Sequence, residues 1–348
     1  MTIVISILGL ILLIVIHELG HMLTAKAVGV RVPEFGVGFG PPIFRRKFGK
    51  TIYSFRIILL GGFAKMAGMG DGETGPGTYY DKSAWRRAAI IFAGPLANFV
   101  AAVAILAGVF MFSGVITGAT NEVREVVPGS MAAGVGVEAG DRIVSVDGRP
   151  VADWEDFTSV VSEKRPGEAA SLVVATGDEE RTLDGTLQAS PDDPERALVG
   201  VSPEPVRETY GLFESVGMAF SQIGQIMVAL VGFIGQLITG QESFYDNVTG
   251  PVGIVSVSSE SVTQGIYPVL LAFISLNLAV FNLLPLLPLD GGHLLFIALE
   301  KVFRRPISEA TMNKVALFGI MLVLTLFLFA TYADLSKLFT GQPFIPDQ

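Results

Sequence analysis

Apolar residues in this chain come in long runs rather than short alternations. The first fills residues 3–25, interrupted mainly by His17-Glu18-Leu19-Gly20-His21. At 1.5 Å per residue it reaches about 35 Å, enough to cross a bilayer. Similar runs predict further spans over 88–112, 266–289 and 315–333. The first reads as a retained span rather than a signal peptide, because no basic segment precedes it and the first cation is Lys26. Trp85-Arg86-Arg87 gives the second span an interfacial aromatic and two cations. Residues 212–240 are apolar and lack Lys and Arg, but Gln222, Gln225 and Gln236 make them less oily; they read as an interfacial or partly inserted amphipathic segment.

Two stretches break this rhythm. Residues 26–87 are rich in glycine and β-formers, predicting short strands over Val30–Phe39, Thr51–Arg56 and Gly61–Met66. Residues 115–208 have the composition of a soluble domain. There Pro128-Gly129-Ser130 turns into a short small-residue helix, and 139–151 alternates like a strand closing on Asp147-Gly148, a hairpin signal. Asp153 is placed to cap a helix over 154–164. This order of turn, helix and hairpin resembles part of a PDZ domain, which takes up peptide ends by strand addition. The expected peptide-binding loop lies near Val115–Val123.

The predicted fold class is therefore a polytopic α-helical membrane protein of about four transmembrane helices, with an inserted PDZ-like α/β domain and a cytoplasmic-side β-rich loop. Its divisions are 1–114, 115–208, 209–265 and 266–348. A mean hydropathy of +0.55 and a charged fraction of 16% agree with a membrane class. Charge then orients it. Residues 26–87 hold 11 Lys/Arg against 4 Asp/Glu, whereas 115–210 hold 8 against 19. The basic block is a topology signal rather than a nucleic-acid surface, so no nucleic-acid partner is expected. It places loop 26–87 in the cytoplasm and the N-terminus and 115–208 outside. With no cysteine, disulfides and thiolate ligands are excluded.

The chemistry concentrates on three histidines. His17 and His21 are four apart, so a helix turns both imidazoles to one face, where they form a zinc-ligand pair with Glu18 as candidate general base. Ionisable groups within a span are costly and mark function. A third ligand is needed, and Asp290 is the best candidate. It is one of few acids in the apolar C-terminal third, and on this topology it arrives at the depth of His17. His293, three residues on, is open to a role behind the ligands or as a fourth ligand.

His17–His21, Gly94-Pro95-Leu96-Ala97-Asn98, Gly61-Gly62-Phe63-Ala64-Lys65 and the string from Asn282 to His293 together resemble the site-2 intramembrane metalloproteases. The PDZ-like insert points to the bacterial regulator-of-sigma-E branch. The resemblance covers essentially the whole chain, although some members carry two PDZ domains and 115–208 has room for one. It implies Zn2+ held by His17, His21 and Asp290, with Glu18 as catalytic base. It further implies that Asn98 and Asn282 act on a substrate strand (they could equally hydrogen-bond helices together), and that Gly62 and Phe63 lie on an edge strand that could pair with it. The implied activity is cleavage, within the bacterial inner membrane, of a single-span protein such as an anti-sigma factor, with a peptide C-terminus at the PDZ-like domain. Alternatives are the same enzyme clearing signal-peptide remnants, a non-catalytic PDZ membrane adaptor, or a metal transporter. A transporter would need polar groups along several spans.

Overall fold

The computed structural model describes residues 1–70, 72–190, 193–241, 249–305 and 309–342, with 243, 245, 307 and 344. Parts of the segments assigned to 209–265 and 26–87, namely 242, 244, 246–248 and 71, lie outside the described residues. The chain forms two compact units, one made of 1–109 with 212–348 and the other of 110–211.

In the first unit, α1 (Thr2–Ala27) and α2 (Ala84–Phe112) form where the sequence is most apolar. They are joined through β1 (Glu34–Phe48) and β2 (Thr51–Lys65), an antiparallel pair. Three short strands were expected. Two long ones form, because Gly49-Lys50 makes a tight turn, with Gly49 at φ 59, and the β-formers on either side run on without a break. Near its start β1 is paired twice, Phe35 with Tyr53 and again with Ala64. Residues 62–65 therefore lie along one margin of the sheet, beside α1.

The second half of this unit holds α5 (Leu212–Thr239), α6 (Pro251–Thr263), α7 (Tyr267–Asn282), α8 (Asp290–Phe303) and α9 (Glu309–Thr340). Four helices among the described residues are long and apolar enough to cross a membrane: α1, α2, α5 over Leu212–Leu237, and α9. The number agrees with expectation, but the set differs. The segment read as interfacial is one unbroken helix of 28 residues, which holds no proline and tolerates the lower helix propensity of its glycines. The stretch 266–289 is instead a 16-residue helix followed by an irregular turn. Pro285 and Pro288 account for the break, lacking the N–H a continuing helix would use. Asp290 is thus the first residue of a new helix rather than the end of a span.

Two contacts set α7 beside α1. Ser259 at the end of α6 donates to Thr2 at 2.8 Å, and the Tyr267 hydroxyl donates to the Ser6 carbonyl at 2.9 Å. From there α7 runs alongside α1 to Asn282, which reaches the level of His17. Gly9 is required at this crossing, since a Cβ would lie 2.0 Å from the Tyr267 oxygen.

The second unit is a PDZ-like α/β fold. Its main sheet orders β10 (Val201–Glu208), β3 (Val115–Val126), β4 (Arg142–Val146), β6 (Ala169–Thr176) and β7 (Glu179–Thr186), with β5 (Arg149–Pro150) paired to β4, and β8 (Gln188–Ala189) pairs separately with β9 (Ala197–Leu198). Asp147 and Gly148 have φ of 49° and 76°, as the expected two-residue hairpin requires. Ser130 caps α3 (Met131–Val135), and Asp153 caps α4 (Trp154–Ser162) through the Asp156 N–H, a contact worth about 1 kcal/mol. Ile143, Val146, Phe157, Leu172 and Val174 fill the core between sheet and helices. Val115–Val123, expected as a loop, lies within β3. Its β-branched residues suit a strand, and it pairs with β10 on one side and β4 on the other.

Candidate metal and catalytic site

The i, i+4 spacing in α1 brings the two imidazoles together, ring centroids 4.8 Å apart. They face α2 at Gly94, where a Cβ would sit 2.2 Å from His21 Nε2 and 2.9 Å from His17 Cε1. Gly20 has the matching role on α1, its absent Cβ lying 2.3 Å from the Ala93 carbonyl oxygen. Glycine on both helices lets them approach closely enough for α2 to back the histidines.

That backing selects the ring nitrogens. His21 Nδ1 lies 2.9 Å from the Ile90 carbonyl oxygen, which can only accept, so Nδ1 carries the proton and Nε2 offers a lone pair. Asn98 Nδ2 is placed 3.4 Å from His17 Nδ1, while Asn98 Oδ1 is buried without a partner, an arrangement that exchanging the two amide atoms resolves. With the amide oxygen toward the ring, Nδ1–H donates to it and His17 Nε2 is freed in the same way.

Asp290 completes the group from 269 residues beyond His21. Its Oδ2 lies 3.1 Å from His17 Nε2 and 3.4 Å from His21 Nε2. The three ligand atoms fall within 4.8 Å of one another. Asp290 Oδ2 is buried and has no hydrogen-bond partner. Two lone pairs and a carboxylate oxygen converging on one point repel unless a cation joins them, and two imidazoles with one carboxylate suit zinc. The donor set fits that metal.

A cavity of about 340 Å³ opens on this cluster. Glu18, Gly62, Phe63, Asn282 and His293 line it together with the three candidate ligands. The Ala64 backbone hydrogen-bonds the Glu18 carboxylate, and a Cβ on Gly62 would lie 3.0 Å from Glu18 Cγ. The 62–65 margin of the sheet therefore runs directly past Glu18. Arg56 stacks over Phe63 at 5.1 Å while pairing with Glu34 at 2.7 Å. Burial works to raise the Glu34 pKa, but Arg56 and the Ser54 hydroxyl outweigh it and hold the carboxyl below its ordinary value.

Of the residues singled out in the sequence, Glu18, His17, His21, Asp290, Gly62, Phe63 and Asn282 come together on the cavity. Asn98 does not line it. It is fully buried against His17, and its carbonyl accepts from Ser275 on α7 at 2.8 Å. Three participants were missed: Gly94, the Ile90 carbonyl and Gly319. Gly94 stood in a quoted motif without a physical role. A backbone carbonyl has no sequence signature. Gly319 on α9 meets the loop before Asp290, where a Cβ would overlap the Leu287 carbonyl oxygen, and nothing local in α9 marks that crossing.

Known proteins resemble this chain over most of its length. The model of peptidase family M50 matches residues 5–326. A relative from Clostridium perfringens is 32% identical over 96% of this chain and 98% of its own length. The zinc metalloprotease RasP of Shouchella clausii is 29% identical over 94% of this chain and 97% of its own. Among solved structures, the PDZ domain of an SdrC-like protein from Listeria monocytogenes aligns with 26% of this chain and 92% of that one, at 21% identity and a TM-score of 0.22. The PDZ-like character of the insert rests on its own strand order.

Proposed function

The chain belongs to peptidase family M50 and is a membrane zinc metalloprotease; from that premise we propose that it cuts the transmembrane segment of single-span membrane proteins, with His17, His21 and Asp290 holding zinc and Glu18 as the catalytic base. The observation that carries this reading is the meeting of three ligand atoms within 4.8 Å, drawn from helices remote in sequence, beside a carboxylate that shares their cavity. A non-catalytic adaptor has no use for that grouping, and a metal transporter would need polar groups along several spans rather than gathered at one level.

Zinc supplies a water activated near neutral pH and a positive charge opposite the developing oxyanion. The rest falls to the chain. Glu18 stands where it can take a proton from the attacking water and return it to the leaving amine. Ile90 and Asn98 hold the imidazoles in the ligand tautomer. A helical substrate must unwind before a peptide bond can be reached, and residues 62–65 offer a strand margin along which the unwound stretch can pair, next to Glu18. Asn282, at the end of α7, lines the same cavity.

The basic loop lies on the cytoplasmic side and the acidic insert outside. A crossing by α5 is compatible with this orientation. The chain after α5 returns to the Thr2 end of α1 before α7 begins, so α8, with Lys301 and Arg304, still ends on the cytoplasmic side. The insert takes the C-terminus of a peptide, and the substrate class is a membrane-tethered regulator such as an anti-sigma factor, trimmed outside; signal-peptide remnants are the second class. The test is co-expression of a tagged single-span substrate with wild type and with Glu18→Gln. A product formed only with wild type is expected. Equal product from both would refute the assignment of Glu18 and of the cleavage to this chain.

A further inference from the structure

The helix that presents Asp290 is seated at its start on the preceding turn, where a Cβ on Gly291 would lie 2.1 Å from the Leu283 carbonyl oxygen. No side chain caps the start of α8, and its C-cap Arg304 adopts a left-handed conformation at φ 55°. Ile297, with Leu294 at its edge, joins Met22, Ala25, Ile90 and Ile91 in an apolar cluster. The driving force for such packing is non-directional and alone does not single out one register of α8 on α2.

Among the described residues, one directional side-chain contact between α2 and α8 does. Arg87 donates from Nη2 to Glu300 Oε2 at 2.7 Å, with the two side chains only 12% and 14% exposed. The guanidinium also lies 5.9 Å from the Tyr79 ring and 5.5 Å from the Tyr80 ring, so aromatic faces hold its plane. The partners are 213 residues apart in sequence and join α2 to α8. Their places on those helices matter. Arg87 is one turn before Ile90, whose carbonyl accepts from His21. Glu300 follows Asp290 on a rigid helix, about 15 Å along its axis. A single stretch of α2 thus holds the histidine helix by one contact and the aspartate helix by another.

We propose that Arg87 and Glu300 are positioning residues that set the register of α8 against α2 and so keep the Asp290 carboxylate within ligand distance of His17 and His21. This rests on the reading that those three residues hold zinc. Neither partner touches the reacting atoms. A pair this deeply placed gives little net stability, since desolvation offsets its attraction, and fixing a register is the best-attested use of such a pair.

The test uses the full-length protein in lipid nanodiscs. Metal affinity is measured by competition with a chromophoric chelator, and site geometry by the visible spectrum at saturating Co2+. Glu300→Ala and Arg87→Met should each weaken metal binding about tenfold, as loss of an outer support does. Each should also change the cobalt band intensity at full loading, which a general loss of stability would not do. The exchanged pair Arg87→Glu with Glu300→Arg should recover both readouts. Single variants that bind within twofold of wild type with unchanged spectra would overturn the proposal. If a single variant does not fold, the exchanged pair decides. A wild-type spectrum supports the clasp, and a folded pair with a disturbed spectrum and weakened binding overturns it. His17→Ala separates the two readings: undiminished binding there removes the ligand assignment itself, whereas lost binding there with unaffected clasp variants removes only the clasp.

Discussion

Asp290 and Asp141 are both aspartates out of solvent, one in each unit, and their surroundings are opposite. Around Asp141, 1% exposed, every neighbour donates: the Thr176 hydroxyl, the Glu138 N–H at 2.9 Å, and Arg181 Nη2 at 3.1 and 3.0 Å from its two oxygens. Burial works to raise its pKa, but these donors outweigh it and hold the carboxyl below its ordinary value. Around Asp290 the nearest groups are two imidazole nitrogens whose protons are engaged on the far side of each ring, and Oδ2 has no hydrogen-bond partner. A saturated buried carboxylate is a structural part. One left short, facing other lone pairs, marks a place where a cation belongs.

Substitution should separate the two most sharply. Asp290→Ala is expected to remove bound zinc and abolish cleavage, leaving the insert as well protected as in wild type. Glu18→Gln should keep the zinc and lower kcat by roughly 10²–10⁴-fold, the usual worth of a placed general base. Zinc content by atomic absorption, read beside the cleavage rate, checks both. Asp141→Ala should do the reverse. It leaves the Glu138 N–H without its acceptor while Arg181 turns to water, costs the insert about 2 kcal/mol, and leaves zinc content unchanged. Amide exchange across 110–211 in the full-length protein reads that cost. Zinc loss from Asp141→Ala would dissolve the distinction drawn here.

A smaller effect sharpens the active-site side. A Cβ on Gly62 would lie 3.0 Å from Glu18 Cγ and 3.1 Å from Ile14 Cγ2, closer than side chains normally settle. Gly62→Ala should displace Glu18 by a few tenths of an ångström and slow cleavage roughly tenfold with zinc retained, since catalysis is sensitive to small misplacements. An unchanged kcat would show that the sheet margin does not constrain the base.

The two aspartates also differ in how far the sequence revealed them. HExxH spacing, membrane-length runs and a rare acid in an apolar third made His17, Glu18, His21 and Asp290 legible, because each is a costly group in a place where cost is obvious. The Asp147-Gly148 turn and the Asp153 cap were legible because turn and cap chemistry are local. What did not read was non-local. Asp141 sits in an ordinary polar string, and its partners Thr176 and Arg181 lie 35 and 40 residues away. The break before Asp290 was signalled by two prolines, yet apolar side chains on both sides made it look like one span. Three glutamines marked 212–239 as less oily than the other runs, yet as a helix of 28 residues it is long and apolar enough to cross a membrane, which composition read by segment did not weigh.

The finest prediction concerns acid. Asp147 is held below its ordinary pKa first by Lys164, which pairs with it, and then by the Ser171 N–H at 2.7 Å. A carboxyl whose folded value lies below its unfolded value of about 3.9 binds fewer protons when folded, so its contribution is complete at neutral pH. That contribution fades once pH drops below about 4 and is gone below the folded value. Asp141 shifts in the same direction and should act in the same window. Amide protection of the insert should therefore be level from pH 7 to 5 and fall between about pH 4 and 2. Lys164→Met should shallow that fall by reducing Asp147's share to what the Ser171 N–H sustains, leaving Asp141's intact. The effect will be small, because Asp147 is 36% exposed and water screens the pair. A slope unchanged by Lys164→Met would assign the acid response of the insert to the buried aspartate alone.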